Sequence, residues 1–134
     1  MDTEIRIRGY HTDLYQHVNN ARYLEFLEEG RWQILEEYMN LEEFMKKGFL
    51  FFVVNINISY RTTAVVNDII VLKTGLHKIG NKSVVFKQRI INKKTGDVCV
   101  DADITFVVAD TNGKPRKIEE KLEETLKCIP LFEG

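Results

Sequence analysis

From Ala21 to Met39 the chain carries one sustained helical pattern. Tyr23, Phe26, Leu27, Gly30, Ile34 and Tyr38 recur at steps of three and four, and Glu25, Glu29, Gln33, Glu36 and Glu37 fill much of the other face. Such a helix is about 19 residues, or roughly 28 Å at about 1.5 Å per residue. What flanks it reads as strands. Thr3, Ile5 and Ile7 alternate with Glu4, Arg6 and Arg8 over residues 3–9 and stop at Gly9. Phe49–Tyr60 is apolar and then alternating. Asp68–Ile79, Ser83–Asn92 and Val98–Ala109 follow, separated by Gly80-Asn81-Lys82 and Lys94-Thr95-Gly96-Asp97, both turn-forming strings. On the last of these strands Val98, Val100, Ala102, Ile104 and Phe106 share a face. Leu41–Lys47 suits a short helix ended by Gly48, and Ile118–Cys128 a charged terminal one.

One strand, one long helix, then four strands in successive antiparallel hairpins define an α+β domain spanning residues 1–134. The helix is long enough to cross a sheet of that width, so a single antiparallel sheet wrapped around it is the economical packing. Gly30 costs the helix about 1 kcal/mol against Ala, which is either simply tolerated or the means of a close approach to the sheet. Such a sheet has open edges, and edge-to-edge pairing of two copies would continue it.

The net charge of −1 supports no general affinity for nucleic acid or an anionic membrane. No apolar run approaches the roughly 20 residues of a membrane span, and residues 2–8 are too charged for a secretory signal. Cys99 and Cys128 are too few for a disulfide framework and read as small buried hydrophobes in a reduced, cytoplasmic setting.

The unusual polar residues gather before the helix. His11, Asp13, His17, Asn19 and Asn20 lie within ten positions, Asp13 standing seven before Asn20. Asn is a good helix N-cap, so Asn19 or Asn20 starts the helix. A helix start offers free backbone N–H groups and a partial positive charge, which can meet a negative oxygen forming in a reaction. Asp13 is a possible base, and the two together form a plausible minimum for attack on an acyl carbonyl. The plainer readings are a turn cap for Asp13, helix caps for the asparagines, and a pocket or cap role for His17. His11 and His17 are too few to hold a metal. Tyr23 reads as core that also lines a pocket, Glu28 and Arg31 as a pair on the helix surface, and His77 as a surface residue. Arg61, Lys82, Lys87 and Arg89 are the basic groups that phosphates would seek.

The string Asp13-x-x-Gln16-His17-Val18-Asn19-Asn20-Ala21-x-Tyr23-Leu24, with Glu28, Arg31, Tyr60-Arg61, Asp68 and Ser83, resembles the hotdog-fold acyl-CoA thioesterases of the 4-hydroxybenzoyl-CoA thioesterase group. The likeness covers nearly the whole chain. Arg8-Gly9-Tyr10-His11 and Tyr15 through Glu29 narrow it to a bacterial long-chain acyl-CoA subgroup. The wider family commonly has Gly where this chain has Gln16. The resemblance implies a hotdog fold and hydrolysis of acyl-CoA to a free acid and CoA without a metal or redox cofactor. It implies a homodimer or homotetramer with sites at the dimer interface. It makes Asp13 the catalytic carboxylate and the Asn20 backbone N–H the group that polarises the thioester carbonyl. His17, Asn19, Tyr23, Arg61 and Ser83 become substrate-binding residues, and the wider roles of attack by carboxylate or by activated water stay open.

Two rivals are distinguishable. Hotdog hydratases place His five residues after Asp in an Asp-x-Asn-Pro-x-His string. Here Asp13 to His17 is a gap of four with no Pro nearby. A non-catalytic acyl-CoA binding module would have no need of Asp13 before a capped helix. The aromatic run Phe49-Leu50-Phe51-Phe52, with Tyr23 and Phe26, is the supply for an acyl pocket.

Overall fold

The computed structural model describes residues 1–134. Its main helix, α1 (Asn20–Tyr38), starts where the capping chemistry places it: Asn19 is the N-cap, and its Oδ1 accepts from the Ala21 N–H at 2.8 Å. Tyr23, Phe26, Leu27, Gly30 and Ile34 are buried as the periodicity requires. Tyr38, the last helical residue, is not; Leu35 and Met39 close the buried stripe in its place. Gly30 serves close approach. A Cβ there would lie 2.5 Å from Leu72 Cδ2 and 2.8 Å from Thr74 Oγ1, so the absent side chain lets α1 settle directly on the sheet.

Strands β1 (Asp2–Arg6), β2 (Leu50–Tyr60), β3 (Ile69–Ile79), β4 (Ser83–Asn92) and β5 (Val98–Ala109) form one antiparallel sheet in the order β1-β3-β4-β5-β2. The sheet wraps α1, which is the hotdog arrangement. The β3–β4 and β4–β5 hairpins form at the expected turns. Gly80 N–H donates to Ser83 C=O at 2.7 Å, and Gly96 takes φ +76°.

The β2–β3 connection departs from the expected run of hairpins. β2 pairs only with β5, at the far edge, while β3 lies between β1 and β4. Alternation in sequence reports which face a side chain takes, not which strand lies beside it. A three-residue link such as Gly80–Lys82 permits only a hairpin. The eight residues 61–68 can span the roughly 15 Å of sheet between β2 and β3. They cross the start of α1, where Ala64 C=O accepts from Val18 N–H at 3.0 Å, and arrive beside β1, where Asp68 C=O accepts from Ile7 N–H at 2.8 Å.

As an edge strand, β2 is open on one side and lightly covered on both faces: Phe52, Val54, Ile56 and Tyr60 are all exposed. The register shifts between Val53 and Asn55, so Val54, the most exposed of these side chains at 59%, sits at the irregularity. On the other strands the inner faces are sealed. Leu72, Ile90, Val100 and Ile104 are completely buried beneath α1.

Two short helices finish the core. α2 (Leu41–Lys46) buries Phe44, and α3 (Glu120–Lys127) buries Leu122 and Leu126. Gly48 ends α2's turn at φ +82°. Of the two cysteines only Cys99 is buried. Cys128 lies at the exposed end of α3, its Sγ donating to Glu124 C=O at 3.4 Å; Leu122 and Leu126 set the inner face, and Cys128, about 200° around from Leu126, falls on the other side. His77 is exposed, as expected.

Candidate active site

Residues 12–18 fold back on themselves as a small hairpin. Thr12 and Val18 bridge, Asp13 N–H donates to His17 C=O at 2.8 Å, and Gln16 N–H returns to Asp13 C=O at 3.0 Å. Asp13 Oδ1 holds the turn from inside, accepting from the Tyr15 N–H at 2.9 Å and, more weakly, from the His17 N–H at 3.4 Å. The other carboxylate oxygen has no partner within the chain, and Asp13 is exposed. Three residues separate the paired Asp13 and His17, and the third, Gln16, takes φ +62°. That left-handed position costs a non-glycine residue roughly 1–2 kcal/mol, and a Gly there would be free of that strain.

The loop is fastened to α1 by His11, which is buried. Its Nδ1 accepts from the Arg8 N–H at 2.9 Å, its carbonyl accepts from the Asn19 N–H at 3.0 Å, and its ring meets Phe26 edge-on at 5.0 Å. Nδ1 is therefore an acceptor and the imidazole neutral. Burial, then the charges of Arg22 and Arg8, lower its pKa. In sequence His11 stands out only as one of two possible metal ligands, and its anchoring role is signalled by no more than its place beside Tyr10 and ahead of the loop. No three His, Cys, Asp or Glu side chains stand close enough together to hold a metal ion.

At the helix start, Ala21 N–H is capped by the Asn19 side chain and Arg22 N–H donates to the Asn19 carbonyl at 2.9 Å. Asn20 N–H has no acceptor within the chain, and Asn20 is exposed. The Tyr60 hydroxyl approaches Asn20 C=O at 3.4 Å, which brings the end of β2 to this point. Asp13, His17, Asn19 and Asn20 are thus parts of one small structure: a seven-residue hairpin leading into a capped helix.

Other candidate residues lie elsewhere. Tyr23 is sealed in the core at 2% exposure. Its hydroxyl accepts from the Ala64 N–H at 3.0 Å, so it clamps the 61–68 connection and has no face left for a ligand. Burial pushes its pKa up. Arg61 turns to the outer face of the sheet, where Asp101 accepts from Arg61 at 2.8 Å and from Arg89 at 2.6 Å. Burial would raise the Asp101 carboxyl, but these two guanidiniums hold it below the usual range. Lys87 faces Asp103 on the same surface. Ser83 starts β4 opposite Val107, while Tyr60, beside Asn20, pairs with Val100. Val100 and Val107 are seven steps apart along β5, about 24 Å at roughly 3.4 Å each, so Ser83 and Asp13 do not meet within one chain.

Further along α1 an apolar cavity of about 370 Å³ opens between the helix, α2 and the first half of β2. Trp32, Leu35, Leu41, Phe49, Phe51 and Phe52 are half of its lining residues. The aromatic run at the start of β2 therefore forms a pocket wall, but Tyr23 and Phe26 do not. Arg31 also reaches it. The expected Glu28–Arg31 surface pair does not form, because Arg31 lies on the buried stripe, four after Leu27 and three before Ile34, and turns inward. Its Nη1 donates to Gln88 Oε1 at 3.1 Å; Gln88 Nε2 in turn donates to Leu27 C=O at 2.8 Å and Thr74 Oγ1 at 3.0 Å. Burial, opposed by the Glu28 charge, lowers the Arg31 pKa. The spacing that would have shown this was present in the sequence.

A hotdog sheet around a capped helix, with a held carboxylate seven residues before an open helix-start N–H, defines the class: the chain belongs to the thioesterase-like superfamily, whose family model matches residues 7–126. Among individual proteins it is 44% identical over 132 residues to the long-chain acyl-CoA thioesterase FadM of Escherichia coli K12, covering 95% of this chain and 100% of that one. The crystal structure of YbaW, a probable thioesterase from Escherichia coli, superposes with a TM-score of 0.87 at 45% identity, covering 95% of this chain and 96% of that one. The fold also matches Slr0204, a 1,4-dihydroxy-2-naphthoyl-CoA thioesterase from Synechocystis, with a TM-score of 0.83 at only 13% identity over 94% of each chain.

Proposed function

We propose that this chain, as one domain over residues 1–134, hydrolyses long-chain acyl-CoA to a free fatty acid and CoA. The observation that carries the reading is the pair of unspent groups at the head of α1: one Asp13 oxygen and the Asn20 N–H, each without a partner in the chain. The thioester carbonyl accepts from Asn20 N–H. As negative charge builds on that oxygen, the N–H and the positive end of α1 stabilise it. Asp13 either attacks the carbonyl carbon itself, with water then hydrolysing the mixed anhydride, or takes a proton from the water that attacks. In both, the C–S bond breaks, CoA leaves as the thiolate and the acyl group leaves as the free acid. His17 and Asn19 keep these two groups in register, through the Asp13–His17 backbone pairing and the helix cap. Arg61 and Ser83 stand outside this constellation within one chain, as candidate contacts to CoA in an assembly.

The chain-length part rests on the cavity and on the relative named for long-chain acyl-CoA. Asn20 and Leu35 share a helix face about 22 Å apart. The cavity's lining on α1 begins nearer, at Glu28, about 12 Å from Asn20; at roughly 1.2 Å per bond chains of 12 to 16 carbons end inside it, between Glu28 and Trp32. Each CH₂ buried there gains about 0.8 kcal/mol. No helix is long and apolar enough to cross a membrane, and both cysteines are free, which suits the proposed cytoplasmic setting. The open, apolar β2 edge supports a homodimer or homotetramer with the sites at the dimer interface.

The test is CoA release from hexanoyl-, dodecanoyl-, palmitoyl- and 4-hydroxybenzoyl-CoA below micelle-forming concentrations. The expected order of kcat/KM puts the two long chains first. If the six-carbon or aromatic substrate leads, the long-chain reading fails. If none releases CoA, the thioesterase reading fails.

A further inference from the structure

Arg31 is the only lysine or arginine among the buried residues. No carboxylate lies within 4.0 Å of it. Its one hydrogen bond in the chain is from Nη1 to Gln88, whose amide is itself held by Leu27 and Thr74; its guanidinium carbon stands 5.8 Å from the centre of the Phe106 ring. A guanidinium has five N–H donors. No buried polar side-chain atom lacks a partner, so the N–H groups that do not reach Gln88 are not sealed in the core, and the cavity is the opening that Arg31 lines. A cavity built only to hold hydrocarbon gains nothing from a cation in its wall, since an apolar chain there leaves those donors unpaired.

We propose that the cavity selects acyl chains carrying a hydroxyl near their far end, and that Arg31 is the specificity-determining residue that donates to it. The inference rests on the cavity being the acyl pocket of the function proposed above. Three observations favour a hydroxyl over a carboxylate. Glu28 lines the same cavity and would repel a second anion but can accept from a hydroxyl. Ten of the twelve lining residues are hydrophobic, a poor setting for burying another charge. And a hydroxyl both accepts and donates, matching an arginine and a glutamate on one wall.

The position along the chain follows from the helix. Arg31 lies eleven residues beyond Asn20, about 16 Å along the axis and about 20° from it around the helix. At roughly 1.2 Å per bond that is about 13 bonds from the thioester carbonyl, which places the terminal oxygen of a twelve-carbon ω-hydroxyacyl chain beside Arg31. A hydroxyl on carbon 3 would stay near Asn20, out of reach.

The experiment compares kcat/KM for ω-hydroxydodecanoyl-, 3-hydroxydodecanoyl- and dodecanoyl-CoA, in the wild type and in Arg31→Met, with a thermal melt to establish that the variant folds. A hydrogen bond to a charged donor is expected to favour the ω-hydroxy substrate about tenfold or more over dodecanoyl-CoA in the wild type, with no such gain for the 3-hydroxy substrate. The ω preference is expected to vanish in R31M. Equal wild-type values for the ω-hydroxy and plain chains overturn the inference while leaving the thioesterase intact, as does a preference that survives in R31M. If R31M fails to fold, the wild-type ratio of ω-hydroxy to 3-hydroxy decides alone. Release of CoA from none of the three overturns the proposed function, and this inference with it.

Discussion

Asp13 has two separable duties, and two substitutions pull them apart. Its Oδ1 caps the 12–18 hairpin through one good hydrogen bond, from the Tyr15 N–H at 2.9 Å, and one long one, from the His17 N–H at 3.4 Å. Its second oxygen is free to act on substrate. Asp13→Ala removes both duties. Losing a single side-chain cap costs about 1 kcal/mol, which for a domain of this size lowers Tm by roughly 3–5 °C. Asp13→Asn keeps an oxygen at the Oδ1 position and should melt within about 1 °C of the wild type. Neither variant keeps a carboxylate, so both should lose about 10²–10⁴-fold in kcat, the usual worth of a positioned base. The measurements are a thermal melt and thiol release from palmitoyl-CoA at a temperature where all three proteins are folded. The distinguishing pattern is unequal stability with equally poor catalysis. Asp13→Asn turning over within tenfold of the wild type would refute the reasoning, for it would show that the turn matters and the carboxylate does not.

Tyr23→Phe should leave the Ala64 N–H without its acceptor at a cost of about 1–3 kcal/mol; a melting temperature unchanged from the wild type would show that the hydroxyl does not clamp the 61–68 connection. His11 stays neutral in the fold, its pKa held below the ordinary 6.5 by burial first and then by Arg22 and Arg8. The unfolded chain takes up that proton as pH falls through about 6.5 and the folded chain resists it. Stability is therefore expected to be full above that pH and to decline below it, and melts from pH 7.5 to 5.5 should show a smaller decline in His11→Asn; equal slopes would remove His11 as the cause. Val54→Lys and Ile56→Lys put charge on the open β2 edge, and sedimentation should then show monomers with little activity; an active dimer in both would mean the chains associate through another surface.

Periodicity alone was enough to place α1, the strands and the tight turns, because those are set by neighbours three, four or two residues apart. The cap at Asn19 was legible for the same reason: an asparagine oxygen satisfies a backbone N–H two residues on, with no help from the rest of the fold. Motif and spacing alone put Asp13, His17, Asn19 and Asn20 in one local structure. What sequence could not rank was choice among distant partners. Residues 61–68 looked like another turn, and only the assembled sheet showed them crossing α1 to put β2 at an edge. Tyr23 read as core from its spacing, but the added pocket role fell away only because Ala64 arrives to take its hydroxyl. Arg31's place on the buried stripe was written in its spacing, but the partner it meets there, Gln88 on β4, 57 positions away, was not. Local hydrogen bonds and helix periods act over a few residues and are written in order along the chain. Burial, and the partner each polar group finds there, depends on surfaces that meet only once the sheet has closed around the helix.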